Sequence, residues 1–282
     1  MVKFAHLLFA FAFVLVILCY FHPLTPQKSE PVFLNFEEMS EAPPQIYQEL
    51  VQINRKNGDV QSVSYPNICI QTEGIRIGAE LNAALLYEKN LRFRLNIYSV
   101  FGKESDIGSN DDIFWFWSKR MSPPALFYAK HEDIYKTRLK TAFHPFWLKD
   151  ILGINPIDLN DAKILKQDDF YVVVQSRLGV MGEPVVRIYL VDPKQGAILG
   201  HYIYASDGNL IASAEVLEFY NIDGNCLPKT ISINYAEEDL KSTWIMGSPK
   251  INLSIDPANW QPEDYKQKIN LDGYVPKSYQ AF

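Results

Sequence analysis

Two stretches decide the fold: Ile75-Arg76-Ile77-Gly78-Ala79-Glu80-Leu81-Asn82-Ala83-Ala84-Leu85 and Leu91-Arg92-Phe93-Arg94-Leu95-Asn96-Ile97. In the first, Ile75, Ile77, Ala79, Leu81, Ala83 and Leu85 alternate with Arg76, Gly78, Glu80 and Asn82. In the second, Leu91, Phe93, Leu95 and Ile97 alternate with Arg92, Arg94 and Asn96. A period of two sends successive side chains to opposite faces, so each stretch predicts a half-buried strand. Glu88-Lys89-Asn90 between them supplies a hairpin turn. Upstream, Val60 to Ile70 predicts a first strand. Downstream, Gly102 to Asp112 is polar, holds Gly108-Ser109-Asn110, and reads as a loop. Ile113-Phe114-Trp115-Phe116-Trp117 follows, apolar on both faces, and Ala125 to Ala129 is its expected partner after the Ser122-Pro123-Pro124 turn.

A second β block is punctuated by clear turn chemistry: Asp192-Pro193-Lys194-Gln195-Gly196, Asp207-Gly208 and Asp223-Gly224-Asn225. These turns predict strands near 185–191, 197–205, 210–220 and 226–235, with Leu240 to Met246 and Ile251 to Ile255 continuing the meander. Connections this short make neighbouring strands antiparallel. Two segments read as helices. Residues 43–57 carry Ile46, Leu50 and Ile53 at helical spacing behind Pro43-Pro44, and residues 144–152 carry Pro145 in the first turn and stop at Gly153. The sum is roughly ten to twelve strands with two or three short helices, and a twisted sheet of that size curls into a barrel-like wrap.

The N-terminal segment runs Phe4 to Phe21 without a formal charge, behind Lys3. It is long for the apolar region of a cleaved signal and just long enough to span a bilayer. No A-x-A site follows, and Pro23 and Pro26 end the helix. The single lysine before the run orients the rest of the chain outward. Cys19 is a lipidation candidate, although Leu18 before it is bulkier than the small residue that acylated cysteines follow. An uncleaved anchor, an atypical lipoprotein and ordinary cleavage all deliver the remainder outside the cytoplasm, the anchor being the favoured reading. The chain therefore divides into a signal or anchor segment (1–21), a linker (22–42), a β domain (43–256) and an extended, proline-bearing C-terminal tail (257–282).

Composition narrows the function. Of 282 residues 48% are hydrophobic and 13% aromatic, enough for a substantial core. The net charge is −6, or −7 once Lys3, the one charge among the first 26 residues, is set aside. That balance argues against nucleic acid and against a polybasic membrane patch. Cys69 and Cys226 are the cysteines outside the N-terminal segment; one bridge or two free thiols are both open, with free thiols favoured. Nucleophile-elbow, phosphate-loop, dinucleotide and zinc-binding patterns are missing from the sequence. His131-Glu132-Asp133 has metal-ligating residue types but lacks a second ligand at helical or hairpin spacing, and reads as a solvated loop. Asp111-Asp112 and Glu237-Glu238-Asp239 sit at expected turns. Glu215 and Glu218 differ in strand parity and are expected on opposite faces. The reading is a non-enzymatic protein without cofactor or metal.

In Ile113–Trp117, Phe114 and Phe116 face one way and Ile113, Trp115 and Trp117 the other. A strand apolar on both faces has to be covered twice. One reading covers it with Phe146 and Trp147 of the second helix or with the aromatic tail. The other leaves part of the aromatic lining facing a cavity able to hold an acyl chain, since barrel mouths are common ligand sites.

The order of parts is export segment, amphipathic helix, paired strands beginning Ile75-Arg76-Ile77 and Leu91-Arg92-Phe93-Arg94, mid-chain helix and meander. It resembles the LolA/LolB-like superfamily of periplasmic lipoprotein carriers over about residues 43–256. The segment Asp106-Ile107-Gly108-Ser109-Asn110-Asp111-Asp112-Ile113-Phe114-Trp115-Phe116-Trp117 also resembles a stretch of bacterial envelope members of that group. The resemblance implies a mainly β fold: a large antiparallel, half-open (unclosed) β-barrel whose short helices plug an apolar cavity. It further implies binding of lipid or lipoprotein acyl chains in the bacterial envelope, with a role in lipoprotein localisation. Phe93, Leu95, Phe114, Trp115, Phe116, Trp117 and Trp147 are the candidate wall of that cavity. Retention by the N-terminal segment, as an inner-membrane anchor or an outer-membrane lipoprotein, points to a stationary receiver with its β domain in the periplasm. The competing expectation is a structural or interaction protein whose core is filled by its own side chains.

Overall fold

A helix at Pro44–Gly58, α1, begins where Pro44 presets the first turn, and Ile46, Leu50 and Ile53 form its buried stripe as their spacing predicts. The computed structural model describes residues 40–73, 80–89, 91–121, 124–133, 147, 150–179, 182–236 and 240–271. The expected anchor with Cys19, the strand start at Ile75–Ala79, Phe146 and the end of the tail lie outside the described residues.

The first strands are β1 (Ser40–Glu41), β2 (Ser62–Glu73), β3 (Glu80–Glu88), β4 (Arg92–Ser99), β5 (Gly102–Ser109), β6 (Ile113–Ser118) and β7 (Leu126–Lys130). After them come β8 (Lys163–Gln167), β9 (Phe170–Leu178), β10 (Pro184–Asp192), β11 (Ala197–Ala205), β12 (Leu210–Ile222) and β13 (Asn225–Tyr235). The chain continues through β14 (Leu240–Met246), β15 (Lys250–Ile251), a 3-10 turn at Pro257–Trp260 and β16 (Lys268–Asn270). All join one sheet in the order β1-β8-β9-β10-β11-β12-β13-β14-β2-β3-β4-β5-β6-β7-β16, with β15 beside β2. The sheet is antiparallel except for β16, which lies parallel to β7. It is a single large unclosed sheet with few short helices, so the mainly β, half-open barrel is the observed fold class.

The expected hairpin of the two deciding stretches forms as β3 and β4, with Leu85 opposite Leu95 and Ala83 opposite Ile97. The turns of the second block also fall where their residues predict. Asp192 accepts hydrogen bonds from the Lys194 and Gln195 amides, and Asp223 and Gly224 both take the left-handed conformation that a two-residue hairpin turn needs.

Two expectations are corrected. The stretch Gly102 to Asp112 is not a loop through most of its length: residues 102–109 are strand β5, antiparallel to both β4 and β6. Polar composition there reflects buried ion pairs rather than solvent, and backbone pairing between two neighbouring strands holds the segment extended. The strand count is also higher than ten to twelve among the described residues. The additions include β5, the β8–β9 hairpin turning at Asp168, and short edge strands such as β1, which too few residues mark by alternation.

The core follows the faces of this sheet. One cluster covers the inner face of β2–β7 and β12–β14, where Phe93, Leu95, Ile97, Phe114, Phe116, Phe127, Ile231 and Ile233 meet Trp147, Ile151 and Leu152. A second joins the α1 stripe to Tyr171, Val173, Tyr189, Val191 and Ile198 on β9–β11, so α1 lies on that face. Asn54 fixes the next layer, donating to the Ile157 carbonyl at 2.7 Å and accepting from the Ile157 amide at 2.8 Å. Leu165, Val172, Ile188, Leu190 and Tyr202 form a third cluster on the opposite face of β8–β11.

Candidate functional site

Strand β6 divides its four candidate wall residues by face. Phe114 and Phe116 point inward, and with Phe93, Leu95 and Trp147 they belong to the main apolar cluster. Phe116 stacks on Phe127 with ring centres 5.1 Å apart, and Trp147 meets Tyr235 edge-on at 5.5 Å. Trp115 and Trp117 point the other way, as their parity dictates, and the tail covers them. Trp117 stacks on Tyr265 at 4.8 Å. Trp115 is fully buried and lies flat over Gly108, where even a methyl group would sit 2.2 Å from the indole.

Beneath the tail sits a charge cluster that alternation alone does not reveal. Asp106 of β5 is fully buried and accepts two hydrogen bonds from Arg94 of β4, at 3.1 and 2.7 Å. It also accepts from the Tyr265 hydroxyl at 2.8 Å and the Trp115 indole at 3.4 Å. Arg94 reaches on to the Gln261 carbonyl at 3.2 Å, and Glu263 pairs with both Arg94 and Lys103. Burial works against the Arg94 charge, but the hydrogen bonds and charge of Asp106 more than offset it and hold the guanidinium protonated. Burial, and then the Asp106 charge, push the Tyr265 phenol far above its ordinary range. Glu104, also fully buried, accepts from Ser99 at 2.6 Å and Arg120 at 2.9 Å. These pairs are saturated, and they position chain rather than present a reactive group.

Glu215 and Glu218 are engaged as well. A bulge at Leu217 shifts the β12–β13 register so that Glu215 stands opposite Ser232 and Glu218 opposite Thr230. The extra residue resets the parity, which corrects the expectation of opposite faces: both glutamates share the outer face. Glu215 accepts from the Tyr202 hydroxyl and Glu218 pairs with Lys229. His131 Nε2 lies 2.7 Å from the Asn110 carbonyl oxygen, beside Ser109. Among the described residues no group of three or more His, Cys, Asp or Glu is placed to hold a metal ion. Cys69 and Cys226 are free thiols, and burial, followed by the Glu80 charge, pushes Cys69 up to about 11.

The inner face carries one polar constellation, around the short helical segment that includes Trp147, Asp150 and Ile151. Asp150 accepts from Asn155 at 3.3 Å and from Tyr189 at 3.5 Å, and lies 3.7 Å from Arg187. Tyr87 in turn donates to Asn155 at 3.1 Å. His201 of β11 stacks on Tyr189 at 4.5 Å and faces Trp147 at 6.3 Å. His201 carries no signal in the sequence, because a lone histidine inside an apolar strand belongs to no motif.

These features define a class: a half-open antiparallel barrel with helices on its concave, apolar side and a strap of tail on its outer side. Three solved structures superpose on this fold. A domain assigned to outer membrane lipoprotein sorting from Vibrio parahaemolyticus superposes with a TM-score of 0.54 at 9% identity, covering 75% of this chain and 94% of that one. A DUF1329 family protein from Desulfovibrio piger gives 0.53 at 11% identity, over 76% and 95%. A LolA superfamily protein from Nitrosomonas europaea gives 0.51 at 14%, over 76% and 97%. The chain therefore has a LolA-like fold. No family model and no curated protein matches it by sequence.

Proposed function

We propose that this chain is a non-enzymatic protein of the bacterial envelope that receives lipid or lipoprotein acyl chains on the concave face of its sheet. The observation that carries the reading is the continuous apolar inner surface of an unclosed sheet, with the Trp147 segment packed against it. Phe93, Leu95, Phe114, Phe116 and Trp147 are its wall. Binding there draws on burial of apolar chain, worth about 0.8 kcal/mol per methylene. The likeness to a lipoprotein-sorting domain supports a place in lipoprotein localisation. The apolar run Phe4 to Phe21, or an acyl group on Cys19, holds the protein at a membrane with the β domain in the periplasm. That tether suits a stationary receiver.

The second reading, a structural protein with a filled core, is favoured by one observation. The inward rings already touch, Phe116 on Phe127 at 5.1 Å, and each is nearly fully buried. Native mass spectrometry of the purified full chain separates the two. An acyl lipid carried through purification, or taken up from vesicles at about one per chain, supports the receiver. A chain that stays lipid-free under both conditions sinks it and leaves the filled core.

A further inference from the structure

His201 is 1% exposed, and among the described residues neither of its ring nitrogens finds a hydrogen-bond partner. Trp147 is 4% exposed, and its indole N–H also has no acceptor among the described residues. The two rings face each other at 6.3 Å between centres, across the junction of the concave face and the helical segment. A buried donor without an acceptor is costly, and two on neighbouring rings concentrate that cost in one place. Tyr189, stacked on His201, spends its own hydroxyl on Asp150 and does not relieve it. Burial of the ring, reinforced by the Arg187 charge, keeps His201 neutral, so it presents one N–H donor and one lone pair. The indole presents a donor alone.

From this geometry we infer that Trp147 and His201 form a polar subsite for the carbonyl oxygen of an acyl ester or amide. The apolar wall of Phe93, Leu95, Phe114 and Phe116 takes the hydrocarbon, and the donor pair fixes how deep the chain enters. The subsite rests on the acyl-binding reading and adds the ligand's polar end to it. Trp147 packs within the apolar cluster and neighbours His201, so its indole reports the ligand's arrival.

The test compares methyl dodecanoate with dodecane, delivered from cyclodextrin to the purified full chain. In the wild type, methyl dodecanoate is expected to bind about fivefold more tightly than dodecane, in line with one net hydrogen bond. It should also move one indole N–H proton resonance downfield, the resonance missing from Trp147→Phe. His201→Leu should abolish that preference while leaving dodecane affinity unchanged, and Trp147→Phe, which also alters the apolar wall, should abolish the preference whatever it does to dodecane affinity. The wild-type affinity ratio of the two probes keeps the test independent of how well either variant folds. Equal affinity for the two probes with an unmoved indole overturns the subsite and leaves acyl binding intact, the donors then serving buried water only. Binding of neither probe overturns acyl binding and the subsite with it. A phosphatidylglycerol and a tripalmitoyl-cysteinyl peptide, added in separate arms, distinguish a membrane lipid from a lipoprotein as the carbonyl's source: the one that moves the same resonance is the ligand class.

Discussion

His201 ties the interior of the protein to pH. Burial, with the Arg187 charge adding to it, lowers its pKa from the ordinary 6.5 to about 3. The unfolded chain takes up a proton below about pH 6.5, while the folded chain does so only near pH 3. Acidification through that window therefore removes stability, at up to roughly 1.4 kcal/mol per pH unit, and nothing is gained or lost above it. Denaturant titrations at pH 7, 5 and 4 should show this slope, and His201→Phe should flatten it; an unchanged slope in the variant would rule out His201 as its source. A second residue of consequence is Gly108. Its missing side chain lets the Trp115 ring lie against the β5 backbone, with indole atoms 2.2–2.8 Å from where a Cβ would be. Gly108→Ala is expected to cost about 1–3 kcal/mol by displacing that ring. Trp115→Ala is expected to cost about 3–5 kcal/mol. Because Trp115 faces the tail, that loss should leave any acyl affinity untouched, as titration with a fluorescent fatty acid would show.

At the scale of elements, the tail and β5 depend on each other. β5 carries Glu104 and Asp106 into full burial, and the tail answers with Tyr265 donating to Asp106 and with Glu263 and the Gln261 carbonyl on Arg94. Only three residue pairs join β16 to β7, in a parallel register, so the ion-pair cluster contributes much of the tail's attachment. Removing one partner of a buried pair costs about 3–5 kcal/mol, because the other charge stays buried. Arg94→Leu should therefore destabilise the protein by about 3 kcal/mol. Amide exchange should speed up at residues 268–271 before it does in β9–β11; uniform acceleration would mean the tail is not separately held. The helix α1 behaves differently. Its stripe of Ile46, Leu50 and Ile53 meets β9–β11 by apolar contact, and its place was legible because helical spacing and the leading prolines sit in one short segment. β5 was illegible for the converse reason. Its signal is pairing with β4 and β6 and neutralisation by Arg94 and Arg120, partners outside the segment itself.

For the whole molecule, a sheet with β1 at one end and β16 at the other leaves its concave face as the largest apolar surface to be managed. A filled core and a receiver differ in what truncating that face does. Phe116→Ala should cost about 3–5 kcal/mol if the ring fills a closed core. In a receiver the loss is smaller and the affinity for a fluorescent fatty acid falls several-fold. Urea titration and ligand titration on the same variant read both quantities.

The sequence by itself determined the period-two strands, their turns, the helix α1 and the mainly β class. Each of these is a local pattern, set by backbone geometry over a few residues. It also determined that Phe114 and Phe116 oppose Trp115 and Trp117, since parity within a strand is local too. Only the tertiary structure decided which of those faces lines the concave side and which lies under the tail. It alone turned a polar stretch into a central strand, put Glu215 and Glu218 on one face through a bulge, and brought His201 to Trp147. Those outcomes depend on contacts between residues far apart in the chain, whose energies no local pattern contains.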